Sequence, residues 1–147
     1  MTDTDLLYRD FWEGFRSYCE AFGTTLPLPL QKAPRQHWFW IRIGKKDIQL
    51  QLTASVQKKH VRCELHFLGE NAKSYLDRLS LQRESVENDL GKLEWNQPAP
   101  GKHECNIALV HHGVNVRDER TWPEAYQWLK QKAEQFHATF SPIVSEL

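Results

Sequence analysis

The sequence predicts an α+β fold with a mainly antiparallel five-stranded sheet and three helices, in the order α-β-β-β-α-β-β-α. Two patterns carry this prediction. In three segments apolar residues recur at three- and four-residue steps, which is typical of amphipathic helices. Between those segments apolar and polar residues alternate, which is typical of half-buried strands. The length of 147 residues and the lack of a linker-like stretch favour a single domain over residues 1–147.

The first helix is predicted from about Asp5 to Phe22 and is followed by an extended connector. Its apolar stripe consists of Leu7, Phe11, Phe15, Tyr18 and Phe22. Acidic and hydroxyl side chains at residues 3–5 suit a helix start, and Gly23 suits its end. The connector at residues 26–34, LPLPLQKAP, has alternate prolines, which disfavour helix at the residue before each of them.

Three strands of a meander are predicted next, at residues 37–44, 48–53 and 60–68. The first two are joined by a tight turn at residues 44–47, which contains Gly44. In each strand every second residue is apolar, as in Phe39, Leu50 and Cys63. This alternation predicts that one face of the sheet packs against the helices.

The second half of the chain adds two helices and two strands. A helix is predicted over residues 71–90, with its apolar stripe interrupted at Gln82 and Arg83, and strands are predicted at residues 92–96 and 103–110. The last helix is expected to begin with a capping box formed by Thr121 and Glu124 and to end at Pro142.

The charges are distributed unevenly along the chain. The formal net charge is zero, which argues against a generic polyanion binder. Residues 31–66, however, contain eight basic and only two acidic side chains. The alternation places polar and aromatic side chains of this basic segment on the face away from the helices: Trp38, Trp40, Arg42, Gln49, Gln51, Arg62, Glu64 and His66. Asn106 and Glu104 are expected to join them from the last strand.

This polar face supports two interpretations. Aromatic rings interleaved with arginines and amides on a sheet are typical of platforms that stack and hydrogen-bond single-stranded nucleic acid. Alternatively a helix, a protein partner or a second copy of the chain covers the face, and Arg62 and Glu64 form an internal ion pair. The residues assigned to this binding or interface face are Trp38, Trp40, Arg42, Gln51, Arg62, Glu64 and Arg83.

A nuclease is the alternative that involves catalysis. A helix followed by three strands and a second helix is also the core order of restriction-endonuclease-like enzymes, whose carboxylates bind a metal ion. Asp47 and Glu64 are the candidates for that role. The residue two positions after Glu64 is His66 instead of the lysine that such a site uses. The sequence therefore favours a protein without catalytic activity, with the nuclease kept as an alternative.

No metal or other cofactor is predicted. The seven histidines include no HExxH pair, and the three cysteines include no CxxC pair. Three cysteines that cannot all pair within one chain suit the reducing cytoplasm. Neither a signal peptide nor an apolar run long enough for a membrane span is present, so a cytoplasmic protein without membrane contact is expected.

Several segments resemble a prokaryotic family known as domain of unknown function 4268. They are FWEGFRSYC, PRQHWFWIRIG, VRCELHF, NAKSYLDRL, LGKLEW, NIAL and WPEAYQWL, which follow one another over nearly the whole chain. The positions that match the family pattern are Arg35, His37, Trp38, Gly44, Glu64, Arg83, Trp95 and Trp122.

The resemblance implies a role but no catalytic residues. Family members occur alone or behind a restriction-endonuclease-like domain, which associates them with DNA processing or defence. The resemblance therefore implies an accessory module that binds nucleic acid, a separate nuclease or another protein partner. A homodimer without a nucleic-acid role remains the third alternative.

Overall fold

A computed structural model describes residues 2–147 of the chain. The helices are α1 (Asp3–Phe22), α2 (Ala72–Ser80), α3 (Arg83–Leu90) and α4 (Trp122–Val144), with a short 3-10 helix at Glu119–Thr121. The strands are β1 (Trp38–Lys45), β2 (Ile48–Ser55), β3 (His60–Phe67), β4 (Glu94–Asn96) and β5 (Cys105–His112). They form one antiparallel sheet in the order β1-β2-β3-β5-β4. The predicted α+β architecture with five antiparallel strands is confirmed.

The helices form a layer on one face of the sheet. Phe39, Leu50 and Cys63 are fully buried there, and α4 lies across β1, β2 and β3. The aromatic rings of Trp12 and Phe15 on α1 contact the ring of Phe39. The opposite face carries the polar half of each alternation, as predicted.

The prediction of three helices is wrong, because residues 71–90 form two helices. The break falls at Leu81 and Gln82, where backbone N–H groups bond back three residues to Arg78 and Leu79. A continuous helix would bury its next side chain at position 83, four residues after Leu79, and that residue is an arginine. The break instead leaves Leu81 87% exposed and allows α3 to pack against α4.

Two helix ends also differ from the prediction. α1 begins two residues earlier than predicted, because Thr2 and Asp5 form a reciprocal capping box. α4 has no side-chain cap, since the Thr121 hydroxyl lies 2.8 Å from the carbonyl oxygens of Asn115 and Asp118. Pro142 lies inside α4 and does not end it. The helix continues to Val144, whose side chain is buried in the core.

α1 and α4 are held together by a close contact at Gly14. The buried Tyr126 hydroxyl on α4 donates a hydrogen bond of 2.6 Å to the backbone carbonyl of Phe11. A methyl group on Gly14 would occupy the position of that hydroxyl. Position 14 therefore has to be glycine for the two helices to approach this closely.

Gly14→Ala is expected to destabilise the protein by about 1–3 kcal/mol, because overpacking and loss of the buried hydrogen bond exceed the helix propensity that alanine gains. Urea unfolding would measure the change. In a Tyr126→Phe background the same substitution should cost less, since the hydroxyl is gone. Equal costs in both backgrounds would show that the contact with the hydroxyl does not explain the glycine.

Candidate functional site

The polar face of the sheet forms a groove of about 840 Å³, here called the sheet groove. Its volume lies in the range of small-molecule and cofactor sites, about 300–1,000 Å³. Four rows of paired residues from β2, β3 and β5 cross this face, and all of their members except Gln49, Ala108, Val110 and His112 form the floor of the sheet groove. From one end to the other the rows are Ser55–His60–His112, Thr53–Arg62–Val110, Gln51–Glu64–Ala108 and Gln49–His66–Asn106.

The two ends of the sheet groove are lined by different elements. The first end is lined by Thr4 and Tyr8 of α1 and by the turn between β2 and β3. The Tyr8 hydroxyl accepts a 3.2 Å hydrogen bond from the backbone N–H of Val56, which ties α1 to that turn. The second end is lined by Leu68 and Glu104, which lie next to the last row. Because α1 and the turn are joined, we describe the first end as the closed end.

Glu64 is buried near the middle of the floor and is paired with a histidine. Its side chain is only 5% exposed, and its Oε2 atom lies 3.2 Å from Nδ1 of His66. His66 in turn places Nε2 3.7 Å from the carboxylate of Glu104. The expected ion pair between Arg62 and Glu64 is absent among the described residues, although the two side chains lie on the same face of β3. His66, two residues from Glu64 on its other side along β3, bonds to the carboxylate instead.

Arg62 is the polar side chain of the floor that most clearly lacks hydrogen-bond partners. Its guanidinium makes no side-chain hydrogen bond or ion pair within residues 2–147, and its Nε atom is buried without an acceptor. Buried donors in folded proteins almost always have an acceptor, and leaving one without costs about 1–3 kcal/mol. An acceptor supplied by a ligand would remove this cost.

His60 is a second polar side chain without a partner in the closed end, although its ring nitrogens are not closed off from solvent. It is 8% exposed, lines the sheet groove, and has no side-chain hydrogen bond in the described part of the chain. Its ring lies 5.8 Å from the ring of His112. Burial, followed by the positive charge of Arg62 and the neighbouring His112 and Lys58, lowers the pKa of His60.

Trp38 and Gln51 also line the sheet groove, but Trp40 and Arg42 lie outside it. Trp40 is 45% exposed and forms a smaller pocket of about 220 Å³ with the prolines of the connector. The guanidinium of Arg42 donates hydrogen bonds of 2.6 and 3.3 Å to the carbonyl oxygens of Leu28 and Pro29. Arg42 therefore anchors the connector to β1 with two of the five N–H groups of its guanidinium.

Arg83 does not lie on the polar face, contrary to the prediction from the sequence. It is on α3 in the helix layer, where it pairs with Glu87 at 3.3 Å and lies over the ring of Trp95. Glu87 also accepts hydrogen bonds from Leu93 N–H and from Trp95 Nε1. The group fastens the segment before β4 to α3, so the geometry gives Arg83 a structural role.

Asp47 and Glu64 do not form a common site. Asp47 lies in the turn between β1 and β2, where its carboxylate accepts a 3.0 Å hydrogen bond from the hydroxyl of Tyr75 on α2. Glu64 lies on the opposite face, paired with His66. Within residues 2–147 no three His, Cys, Asp or Glu side chains come together as a metal-ligand set.

The cysteines are buried and protonated. Burial raises the pKa of Cys19 and of Cys105 to about 11 and raises that of Cys63 as well. A thiol with a raised pKa carries little of the thiolate that nucleophilic chemistry requires.

None of the helices in residues 2–147 combines the length and apolar character needed to cross a membrane.

Three of the residues that line the sheet groove without being predicted as site residues bear on its chemistry: His60, Lys58 and Arg117. His60 could have been found, because it precedes Arg62 by two positions on a strand and so shares its face. Lys58 and Arg117 lie in a turn and a loop, and both line the sheet groove. Turns and loops have no periodicity that predicts the direction of a side chain.

Comparisons with known proteins identify a family and a fold. A family model described as Domain of unknown function (DUF4268) matches residues 7–144. No curated protein matches the sequence. The structure is similar to that of YbjN from E. coli, with 8% identity, 92% of each chain covered and a TM-score of 0.50. The ExsC–ExsE complex is a weaker match, with 10% identity, 94% of this chain and 96% of the other covered, and a TM-score of 0.36.

Protonation of His60 is expected to destabilise the fold. Because the pKa of His60 is lower in the folded protein than its ordinary value of about 6.5, its contribution to stability is present above that value and is lost as the pH falls through the folded pKa. The free energy of unfolding, measured by urea denaturation between about pH 7.5 and 5, should therefore fall more steeply in the native sequence than in His60→Gln. Parallel pH profiles would contradict this assignment.

Proposed function

The chain belongs to the DUF4268 family, and we propose that it is a non-catalytic, cytoplasmic accessory module that binds a single nucleic-acid strand in the sheet groove. We further propose that residues 1–147 act as one domain in prokaryotic DNA processing or defence. The observation that carries the proposal is Arg62, a guanidinium on the floor of the sheet groove without an acceptor in the described residues.

The surroundings of Arg62 favour a nucleic acid as the ligand. Lys58 and Arg117 line the same sheet groove and are exposed, so both can reach phosphate oxygens. Trp38 offers an aromatic ring at the edge of the floor. Gln51 offers its amide oxygen and Asn106 its amide nitrogen to base edges, since the other amide atom of each bonds to Gln49 and Asn96 respectively. Phosphate contacts give affinity, and stacking and amide contacts hold the bases.

The arrangement of carboxylates supports binding without catalysis. A metal-dependent nuclease needs carboxylates that converge on one ion. The side chains of Asp47 and Glu64 each have a separate partner, Tyr75 and His66 respectively. A sheet groove whose main unsatisfied group is an arginine can hold an anion without cleaving it.

Arg62→Ala is expected to weaken the binding of a fluorescent single-stranded DNA or RNA by about tenfold or more, because hydrogen bonds to charged groups contribute about 1.5–3 kcal/mol. Fluorescence anisotropy across a salt series is the measurement. The logarithm of the affinity should fall linearly with the logarithm of salt concentration, and removal of one phosphate-binding cation should reduce the slope by about 0.7.

Lys73→Ala is the matched control for this experiment. Lys73 is an exposed cation on α2, paired with Asp77 at 2.9 Å, so its removal changes the net charge equally without touching the sheet groove. Equal weakening by both substitutions would reduce the effect to net charge and contradict the proposal. A denaturing gel of the same samples with Mg²⁺ or Mn²⁺ would detect fragments, which would support the nuclease alternative.

A protein partner is the second candidate, favoured by the apolar surface at the edge of the sheet. Leu28 is 63% exposed and Trp40 is 45% exposed, and both lie where the connector crosses β1. Large apolar side chains this exposed on one edge of a sheet are typical of contact surfaces. A second copy of the chain is the simplest partner for this surface, since symmetric dimers are the commonest oligomers.

If this surface forms a homodimer, Trp40→Ala should shift the protein to monomer, because aromatic anchors contribute much of the binding energy of interfaces. Sedimentation velocity over a range of concentrations would measure the shift. Leu81→Ala serves as the control, since Leu81 is exposed on the distant break between α2 and α3. A native protein that is monomeric at all concentrations would remove this candidate.

A further inference from the structure

We infer that the closed end of the sheet groove is a subsite for a terminal phosphate group of the bound strand, held by Lys58, His60, Arg62 and Arg117. The inference rests on the proposed function and extends it, because it specifies which part of a strand is recognised. It depends on the distribution of charge along the sheet groove and on the wall at one end.

The cationic groups of the sheet groove are concentrated at its closed end. Arg62 and His60 occupy adjacent rows of the floor, about 7 Å apart along β3 at roughly 3.3 Å per residue. Lys58 comes from the turn between β2 and β3, and Arg117 comes from the segment after β5. None of the four side chains has an acceptor among residues 2–147. Four donors from three parts of the chain therefore line the sheet groove without an internal hydrogen-bond acceptor, and the Glu94 carboxylate on β4 is the one anion that acts on the pKa of His60.

The carboxylates lie toward the other end of the sheet groove. Of the acidic residues that line it, Glu64 is in the third row and Glu104 is beside the fourth, and His66 lies between them. A phosphate at that end would meet two carboxylates and be repelled. The same carboxylates accept hydrogen bonds from the amino groups of bases. The polarity of the sheet groove therefore orients a strand with its phosphate end toward Arg62.

The wall at the closed end favours a terminal phosphate over a phosphodiester within the strand. Thr4, Tyr8 and Val56 line this end, and the hydrogen bond between Tyr8 and Val56 joins the wall to the sheet. A strand that runs along the sheet groove from the other end meets the first turns of α1 at this end. A terminal phosphate also carries a charge of about −1.5 to −2, compared with −1 for a diester, and so gains more from three permanent cations.

His60 completes the subsite as the donor next to the wall. It is 8% exposed, lines the sheet groove and makes no side-chain hydrogen bond in the described chain. Ser55 and His112 lie opposite it in the same row. Its ring nitrogens, unlike Nε of Arg62, are not closed off from solvent, so a phosphate oxygen can reach them.

The experiment compares ten-nucleotide strands of one sequence that carry a 5′-phosphate, a 3′-phosphate or only hydroxyl ends, each with an internal fluorescent label. Anisotropy is measured with the native chain, the Lys58→Ala/Arg117→Ala variant and the Lys73→Ala control. One of the two phosphorylated strands should bind about tenfold tighter than the hydroxyl strand. The preference should disappear in the double variant and persist in the control. Both substituted side chains are exposed, so the fold should be unaffected.

The outcomes separate the inference from the proposed function. Equal binding of all three strands, still weakened by Arg62→Ala, would overturn the terminal-phosphate subsite and leave strand binding intact. Absence of binding by any strand would overturn both. A phosphoserine peptide that binds more tightly than every strand would also overturn the inference, because it would assign the subsite to a protein partner. Competition by inorganic phosphate for the phosphorylated strand alone would support it.

Discussion

The placement of all four helices on one face of the sheet is the constraint on which the rest of the structure depends. It gives β1, β2, β3 and β5 one apolar face, which fills the core with side chains such as Phe39, Leu50 and Cys63. The opposite face then has no helix layer to bury it, and its polar side chains must find partners among themselves or in a ligand. The sheet groove is the consequence of this one-sided packing.

The charged and polar side chains of the polar face differ in whether they have a partner within the protein. The Glu64 carboxylate has a hydrogen-bond partner in His66, and His66 also approaches Glu104, so the carboxylate near the middle of the floor is satisfied locally. Arg62 and His60 receive no such partner among the described residues. A structure that only had to be stable could have joined Arg62 to Glu64, which lies two positions away on the same face. The separation of the two groups is what makes a binding role more consistent with this face than a purely structural one.

The edge of the sheet at β1 has a different role from its floor. The side chain of Gln31 accepts a 2.8 Å hydrogen bond from the backbone N–H of Trp40, and Arg42 binds two carbonyl groups of the connector. The first contact uses a backbone donor that an exposed strand edge would otherwise present to another chain, and the second holds the connector beside that edge. The two arginines that alternation places on one face thus differ in function, since Arg42 holds the connector and Arg62 faces the sheet groove.

The sequence by itself determined the order of the strands along the chain, the two faces of the sheet and the residues on each, because alternation along a strand is a local property of the backbone. It also determined where α1 ends, because Gly23 acts within one turn of the helix. Only the tertiary structure decided the break between α2 and α3, the transfer of Arg83 to the helix layer and the pairing of Glu64 with His66 instead of Arg62. Those outcomes depend on which side chains come within bonding or packing distance of one another. Periodicity predicts the face on which a side chain lies and carries no information about such distances. For the same reason Lys58 and Arg117 joined the site only when the turn and the loop that carry them were placed beside β3.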